Sequence, residues 1–340
     1  MENRKVFEIK PLGFPWETQD PFLFCAHHRD EYPKGNERMG VDPGMMSGRN
    51  IGQDFSLKDG WRMYHGRKVP GFPYHPHRGF ETITINKEGF VDHSDSLGAS
   101  GRFGQGDVQW MTAGKGLQHS EMFPLINQDK GNPLEIFQLW LNLPKASKFV
   151  EPHFRMLWKE MIPTITDTDQ NGKNSTIDII AGNLLDVQAP DSTPNSWAAK
   201  SENGVSIFTL KMEAGAEWVL PKISLENVNR TLYFYRGVDL RIDGKLVKEY
   251  HLIKVDPHAD ITIQNGDQES YLLILQGKPI NEPVVQHGPI VMNTEEEIED
   301  AFREYRKTQF GGWPWPETEQ VFPKEKGRFA SHADGREEIK

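Results

Sequence analysis

Cysteine is almost absent from this chain: Cys25 is the one cysteine among 340 residues. A disulfide needs two cysteines within the chain, and iron–sulfur clusters or multi-cysteine zinc sites need more than one ligand of this type. The sequence therefore excludes all three kinds of site within a single chain. Cys25 lies in an apolar run, residues 22–26, so we expect a small buried side chain rather than a reactive thiol.

Long apolar runs and clusters of basic residues are missing as well. Hydrophobic residues make up 36% of the chain, in runs far shorter than the roughly 18–20 residues that a transmembrane helix needs. The net charge is −10, without the clustered lysines and arginines that bind a nucleic-acid backbone. The first eight residues lack the apolar stretch of a secretory signal. We therefore expect a cytoplasmic protein that binds neither membranes nor nucleic acid directly.

Short segments in which apolar and polar residues alternate dominate the chain from about residue 50 to residue 280. Period-two alternation is typical of β-strands, and glycine-rich turns separate the segments. The clearest segments are residues 80–86, 108–112, 134–143, 205–210, 230–235 and 271–275. A polar break at residues 166–175 divides them into two series of similar length. These features predict an all-β protein with two barrel or sandwich units.

One helix is predicted near the end of the chain. Thr294 is a good N-cap, and Glu297 three residues later completes the pattern of a capping box. Ile298, Phe302 and Tyr305 recur at helical spacing and form an apolar stripe, and a glycine pair at residues 311–312 is expected to end the helix. The polar stretch from about residue 324 is expected to be mobile.

Two short polar clusters carry the candidate chemistry: His75-Pro76-His77, and His119-Ser120-Glu121 about forty residues later. Residues i and i+2 of a β-strand project to the same face. If the two strands face each other inside a barrel, three imidazoles and one carboxylate converge on one point. This set suits a divalent first-row transition metal, above all non-haem iron.

Glu81, the other histidines and three tryptophans are further candidates for a functional role. Counting on by twos from His77 brings Glu81 to the same face, either as a further ligand or as an acceptor for a histidine N–H. The remaining histidines have no partner at ligand spacing, so we expect solvated or core roles for His27, His28, His65, His93, His153, His251, His258, His287 and His332. We also expect Trp110, Trp140 and Trp158 to be core residues rather than stacking platforms.

Longer strings around the clusters resemble a known family. Residues 75–82 and 106–122 resemble the two metal-binding stretches of the pirin family, a branch of the cupin superfamily, and residues 20–23, 138–144, 277–280 and 310–314 resemble other family segments. The resemblance implies two cupin-type β-barrel (jelly-roll) domains and a C-terminal helix. We expect an N-terminal cupin domain with the metal site at residues 1–148, a cupin-like domain without metal at 149–293, and the helix and tail at 294–340.

The resemblance also implies the ligands of one iron, Fe(II) or Fe(III). They are His75, His77 and His119, with Glu121 as the fourth ligand in pirins, whereas the general cupin pattern uses the glutamate at the position of Glu81. The sequence leaves this choice of carboxylate open. Insertions at residues 31–52 and 167–174 and the tail beyond Trp315 depart from the shorter family pattern, and we expect them to reshape a pocket mouth or a partner surface.

Two functions of different classes follow from the resemblance. One is a quercetin 2,3-dioxygenase, which cleaves the ring of a small aromatic flavonol with O₂. In that case Glu121 is a candidate general base if it leaves the metal. The alternative is an iron-dependent redox sensor that binds a protein partner as a transcriptional or metabolic co-regulator, without turnover of its own.

Overall fold

A computed structural model of the protein describes residues 4–340. Its strands, in chain order, are β1 (Val6–Pro11), β2 (Phe22–Tyr32), β3 (Gly71–His77), β4 (Phe80–Glu88), β5 (Phe90–Asp95), β6 (Ser100–Gly104), β7 (Val108–Thr112), β8 (Leu117–Met122), β9 (Asn132–Asn142), β10 (His153–Leu157), β11 (Thr164–Thr168), β12 (Asn174–Ala181), β13 (Asn183–Leu184), β14 (Val187–Gln188), β15 (Ser206–Met212), β16 (Glu217–Leu220), β17 (Asn229–Arg236), β18 (Asp239–Ile242), β19 (Lys245–Lys248), β20 (His251–Val255), β21 (Ile261–Asn265), β22 (Ser270–Gly277), β23 (Val285–His287), β24 (Ile290–Met292), β25 (Phe329–Ser331) and β26 (Glu337–Ile339). Within the same residues the α-helix is α1 (Glu295–Thr308). Short 3₁₀ helices lie at Pro43–Met46, Lys145–Ser147, Lys159–Met161, Trp197–Ala199, Ser201–Asn203, Gln309–Gly311 and Lys324–Lys326.

The chain forms two compact units, neither of which is continuous in sequence. The histidine unit comprises Ala26–Lys159 and Glu282–Lys340, and the second unit comprises Glu160–Asn281 with the described residues up to Cys25. Each terminal segment belongs to the unit that is farther from it in sequence, because of strand pairing. The N-terminal strand β1 pairs with β20 of the second unit, and the C-terminal strand β25 pairs with β6 of the histidine unit. The boundaries expected from the sequence, 1–148, 149–293 and 294–340, assign these two segments differently.

The histidine unit has two large antiparallel sheets and a small one formed by β23 and β24. The strand order is β10-β7-β4-β9-β2 in one sheet and β26-β25-β6-β5-β8-β3 in the other. Its apolar core draws on both sheets, with Met111 and Phe154 from the first and Val91, Phe103 and Leu117 from the second. Since alternate residues of each strand face this core, the opposite face of β3 and β8 is left for contacts with other elements.

The second unit repeats this plan with a larger sheet. Its sheets run β1-β20-β17-β22-β15-β12-β11 and β16-β21-β18-β19. Its core includes Ile177, Phe208 and Leu232, all fully or almost fully buried. The pairing of β18 with β19 forms a hairpin whose turn residues, Asp243 and Gly244, both have positive φ, as a tight two-residue hairpin turn requires.

Helix α1 begins where the sequence predicts. Thr294 accepts a hydrogen bond from the backbone N–H of Glu297, while the Glu297 carboxylate accepts one from the backbone of Asn293. The helix ends differently from the prediction, because Gln309 rather than a glycine adopts the left-handed conformation that terminates it. No helix in residues 4–340 has both the length and the apolar character needed to cross a membrane.

The expectation of a mobile tail from about residue 324 is wrong. Phe329 and Ala330 are buried, and β25 pairs with both β6 and β26. The tail becomes a strand because an edge of the histidine unit offers it hydrogen-bonding partners, which its own polar composition does not reveal.

Candidate metal centre

The two histidine-bearing strands, β3 and β8, are hydrogen-bonded neighbours in one sheet. The arrangement expected from the sequence, in which the two strands face each other across a barrel, is therefore wrong. Their antiparallel register sets His75 opposite His119, and His77 opposite Leu117. Side chains at i, at i+2 and at the directly opposite position share one face, so the three imidazoles converge. Nε2 of His75 lies 3.1 Å from Nε2 of His119, and the ring centroid of His77 lies 4.8 Å from that of His119.

Strand β3 is irregular, with two prolines and a register shift within seven residues. It lies at the edge of its sheet and contains Pro73 and Pro76, which have no N–H to donate. Its pairing with β8 shifts register between Phe72 and His75. Gly79, with φ of 84°, then turns the chain into β4, and a Cβ there would meet the carbonyl oxygen of Val291 at 1.9 Å. The chain therefore passes from the sheet of β3 to the sheet of β4 immediately after His77.

This change of sheet decides the positions of the two carboxylates that the sequence left open. Thr84 of β4 hydrogen-bonds Glu121 (2.8 Å), which is thus on the histidine side. Glu81 is three residues from Thr84 on the same strand, so its side chain projects to the opposite face, where it accepts a hydrogen bond from Thr112 (2.6 Å). Counting by twos from His77 fails because Gly79 separates two strands of different sheets.

Glu121 lies close to the histidines, with its carboxylate held by polar neighbours. Oε2 of Glu121 is 3.7 Å from Nε2 of His119. The Thr84 hydroxyl contacts Oε1, and the Gln138 side-chain amide donates to Oε2 at 3.1 Å. Burial raises the pKa of Glu121, and the hydrogen bond from Thr84, the nearby His93 and the hydrogen bond from Gln138 partly offset that rise.

Burial also controls the charge of the histidines. It lowers the pKa of His75 to about 4 and the pKa values of His77 and His119 well below the ordinary histidine value, to which their mutual repulsion adds. The imidazoles are therefore neutral at neutral pH. Neutral imidazole is the form that binds a metal.

The tautomers and spacing fit a single metal ion. The Nδ1–H of His75 donates to the carbonyl of Pro73 (2.9 Å), and that of His77 donates to the carbonyl of Pro289 (3.3 Å), which leaves Nε2 as the lone-pair atom of each ring. Metal–nitrogen bonds of about 2.1 Å set ligands at right angles about 3 Å apart, close to the separation of Nε2 in His75 and His119. Within the described residues these three histidines form the only group of three or more potential ligands with such mutual proximity.

Two neighbours of the cluster were missed by sequence reasoning. His93 of β5 is fully buried, pairs in register with Glu121, and has its ring centroid 5.5 Å from that of His119. Trp140 of β9, expected in the core, is half-buried, and its ring lies 5.5 Å from His77 and 4.2 Å from Phe80. The spacing of His93 and Asp95, two residues apart as in the two clusters, was the available signal for His93. Its neighbour Glu121 is 28 residues away in the chain, and short-range spacing cannot reveal that contact.

Two antiparallel β units, one of which holds a three-histidine cluster with a carboxylate beside it, define a bicupin with one candidate metal site within residues 4–340. Residues 37–141 match the family described as Pirin, and residues 207–311 match the family described as Pirin C-terminal cupin domain. The chain belongs to the pirin family. The resemblance inferred from the sequence and the expected all-β, two-cupin fold with a C-terminal helix are both confirmed.

Relatives and solved structures extend this similarity over most of the chain. A Pseudomonas aeruginosa protein named "Putative quercetin 2,3-dioxygenase PA2418" is 35% identical over 245 residues, which are 71% of this chain and 79% of that protein. Pirin of Homo sapiens is 32% identical over 260 residues, 73% of this chain and 80% of that protein. A crystal structure of quercetin 2,3-dioxygenase from Acinetobacter baumannii matches the fold with a TM-score of 0.70 and 24% identity, covering 91% of this chain and 99% of that one.

Proposed function

We propose that this protein is an iron-dependent dioxygenase of the quercetin 2,3-dioxygenase type, which cleaves the ring of a flavonol with O₂. The observation that carries the proposal is the convergence of three neutral imidazoles beside a buried carboxylate, Glu121. A nitrogen and oxygen ligand set that leaves positions open is typical of non-haem iron. The name of the Pseudomonas relative adds support for the flavonol, and a cytoplasmic location is part of the proposal.

The ligands in this proposal are His75, His77 and His119, with Glu121 as the fourth. Bound iron would supply Lewis-acid and redox chemistry toward a flavonol hydroxyl and O₂. The chain's own contribution starts with the carboxylate. Once it leaves the metal, Glu121 is the general base: burial raises the pKa of its free carboxylate, which takes the hydroxyl proton of the substrate at its oxygen.

Orientation of the substrate falls to the neighbours of the cluster. Thr84 and Gln138 fix the Glu121 carboxylate from two sides. The half-buried ring of Trp140 offers an aromatic surface 5.5 Å from His77, against which a planar flavonol ring can pack. Trp140 and Gln138 are two residues apart on β9, so the aromatic ring and the amide that holds the base project from the same face of that strand.

The test is turnover of quercetin by iron-loaded protein. Anaerobic addition of quercetin should shift the flavonol absorption band, and admission of O₂ should consume one O₂ and release one carbon monoxide per flavonol cleaved. His119→Ala should abolish both signals, whereas His258→Ala, at an exposed position of the second unit, should retain them. Neither band shift nor carbon monoxide from fully iron-loaded protein would contradict the proposal.

A second candidate function is iron-dependent binding of a protein partner. One observation favours it: Gln118, adjacent to His119, is hydrogen-bonded to the C-terminal segment of the chain, so the metal strand is coupled to an element near the surface. Partner capture by ferrous and ferric protein tests this function. Equal capture of the same partners in both oxidation states argues against it.

A further inference from the structure

The C-terminal end of α1 and the segment that follows it cross the outer face of the histidine-bearing strands. This stretch, residues 305–318, is named the strap. We propose that the strap positions the metal centre: it holds β3 and β8 in the register that brings the histidines together, so that metal affinity depends on the strap and the order of the strap depends on the metal. The proposal rests on the metal site of the proposed function but not on the dioxygenase reaction.

Strand β3 needs such support because its own pairing is weak. Pro76 lies between two of the histidines and has no N–H to donate to β8. The strand is at the edge of its sheet, and its pairing with β8 is interrupted between Phe72 and His75. The backbone ladder that holds His75 and His77 against His119 therefore lacks the Pro76 donor and is interrupted before His75.

Gln118 provides the central link between β8 and the strap. It pairs in register with Pro76, and its side chain projects away from the cluster because it is next to His119. Its side-chain oxygen accepts a hydrogen bond from the Tyr305 hydroxyl at 2.8 Å. Its side-chain nitrogen donates to the carbonyls of Gln309 (2.9 Å) and Gly312 (3.0 Å). Both the oxygen and the nitrogen of the Gln118 side-chain amide are thus hydrogen-bonded to the strap, and the residue is only 1% exposed.

The strap has a conformation that depends on these bonds. Gln309 and Phe310, two consecutive non-glycine residues, have φ of 52° and 44° in the left-handed region, which L-residues rarely adopt. The carbonyl of Gln309 accepts from Gln118, and the carbonyl of Phe310 accepts from the hydroxyl of Ser96 at 3.0 Å. Loss of the Gln118 contacts would allow the strap to relax.

Two further contacts join the strap to residues beside the histidines. Trp313 stacks on Tyr74, the residue before His75, with ring centroids 5.0 Å apart and an interplanar angle of 24°. The indole N–H of Trp315 donates to the carbonyl of Asp95 at 2.8 Å, and Asp95 pairs in register with His119.

The strap therefore touches three neighbouring strands, β3, β8 and β5, each beside a histidine of the cluster. A metal ion held by His75, His77 and His119 would fix the same two histidine strands from the inner face. Metal binding and docking of the strap both favour the same arrangement of β3 and β8. Each must therefore favour the other, since coupling between two sites is reciprocal. Metal binding should therefore order the strap, and loosening the strap should weaken metal binding.

The experiment uses the full-length protein and Ni²⁺ as the probe. The variants are Tyr305→Phe, Trp313→Ala and their combination, with Trp313→Tyr to restore an aromatic stack and Tyr271→Phe as a matched control on the second unit. The measurements are the Ni²⁺ dissociation constant by chelator competition, the ligand-field spectrum of the Co²⁺-loaded protein, and thermal unfolding of the metal-free protein. Hydrogen exchange of residues 305–318 in the unmutated protein, with and without Ni²⁺, is measured in parallel.

We expect the Ni²⁺ dissociation constant to rise about fivefold for Tyr305→Phe and twentyfold or more for the combined variant, which should also have a changed Co²⁺ spectrum. Trp313→Tyr should recover the affinity for Ni²⁺, and Tyr271→Phe should have no effect. The metal-free unfolding midpoints should stay close to that of the unmutated protein. Unchanged affinity and spectrum in the combined variant would overturn the proposal. If that variant does not fold, hydrogen exchange decides: slower exchange of the strap with Ni²⁺ supports the coupling, and equal exchange overturns it. Failure of the unmutated protein to bind any divalent metal would instead defeat the metal site on which the proposed function rests.

Discussion

At the residue scale, the position of a single buried carboxylate controls the chemistry open to the site. Glu121 is held by Thr84 and Gln138 beside His119, and burial raises its pKa. Glu81 is equally buried but lies on the other face of β4, where Thr112 donates to it. The two glutamates therefore form a natural pair for experiment, because they share chemistry and burial but differ in the face they occupy.

The first prediction compares Glu121→Gln with Glu81→Gln. We expect Glu121→Gln to lower the turnover of quercetin by about 100-fold, because an amide cannot accept the substrate proton. Glu81→Gln should stay within a few-fold of the unmutated protein, because an amide oxygen can still accept the hydrogen bond from Thr112. Carbon monoxide release under air measures the difference, and a larger loss in Glu81→Gln would show that the face assignment does not govern function.

Asp30 provides a second prediction, which concerns pH and stability. It is fully buried, Tyr64 donates to it at 2.6 Å, and burial raises its pKa to about 6 despite the nearby Arg62. Between the unfolded value of about 3.9 and this folded value, the folded protein binds more protons than the unfolded chain. The contribution of Asp30 to the free energy of unfolding is therefore complete below about pH 4 and is lost as pH rises through about 6.

Asp30→Asn removes this titration. Relative to the variant, the unmutated protein should lose on the order of 3 kcal/mol of unfolding free energy between pH 4 and pH 7. Urea unfolding of both proteins at several pH values measures the difference. Parallel pH profiles for the two proteins would contradict the assignment to Asp30.

At the element scale, a buried ion pair explains how the tail is retained. Arg102 of β6 is fully buried and bonds both carboxylate oxygens of Asp92 at 2.6 and 2.7 Å. The same guanidinium donates to the carbonyls of Phe322 (2.6 Å) and Pro323 (3.1 Å). One side chain thus joins two strands of the sheet to the segment that precedes β25.

The third prediction concerns the loss of stability when the Arg102 guanidinium is removed. Arg102→Met leaves the Asp92 carboxylate buried without its counter-ion, which should lower the free energy of unfolding by about 3–5 kcal/mol. Limited proteolysis should also cut the chain near residues 324–328 faster than in the unmutated protein. Arg303→Met is the matched control, because the ion pair of Arg303 with Asp300 is on the exposed surface of α1 and should contribute little. Equal stability of the two variants would exclude the ion pair as the anchor of the tail.

At the scale of the whole molecule, the two units have separate cores, and the histidine cluster belongs to one of them. A ligand that binds only the folded form stabilises the unit it binds. Metal should therefore make the histidine unit more stable than the second unit, even though each unit includes one terminal segment of the chain.

The fourth prediction follows from this separation. At Ni²⁺ concentrations a hundred times the dissociation constant, the histidine unit should gain about 2.7 kcal/mol, with little change in the second unit. Hydrogen exchange of β8 and of β15 reports the two units separately, and His119→Ala should remove the gain in β8. Equal gains in both strands would mean that the two units unfold as one.

The sequence by itself determined the strands with clear alternation, such as β4, β7 and β22, together with the start of α1 and the two histidine clusters. These features depend on local rules: side chains alternate along a strand, and a capping residue acts within one helical turn. The prediction that His75 and His77 share a face needed no knowledge of any other strand. The resemblance then named the family and the pair of cupin units, which the comparisons confirm.

Only the tertiary structure decided which strands are neighbours. It set His75 opposite His119 within one sheet, brought His93 beside Glu121, and turned Glu81 to the opposite face after Gly79. It also made a buried strand of the polar tail. These outcomes depend on pairings between residues far apart in the chain, which are fixed by hydrogen bonds and burial in the complete fold and leave no periodic signal in the sequence.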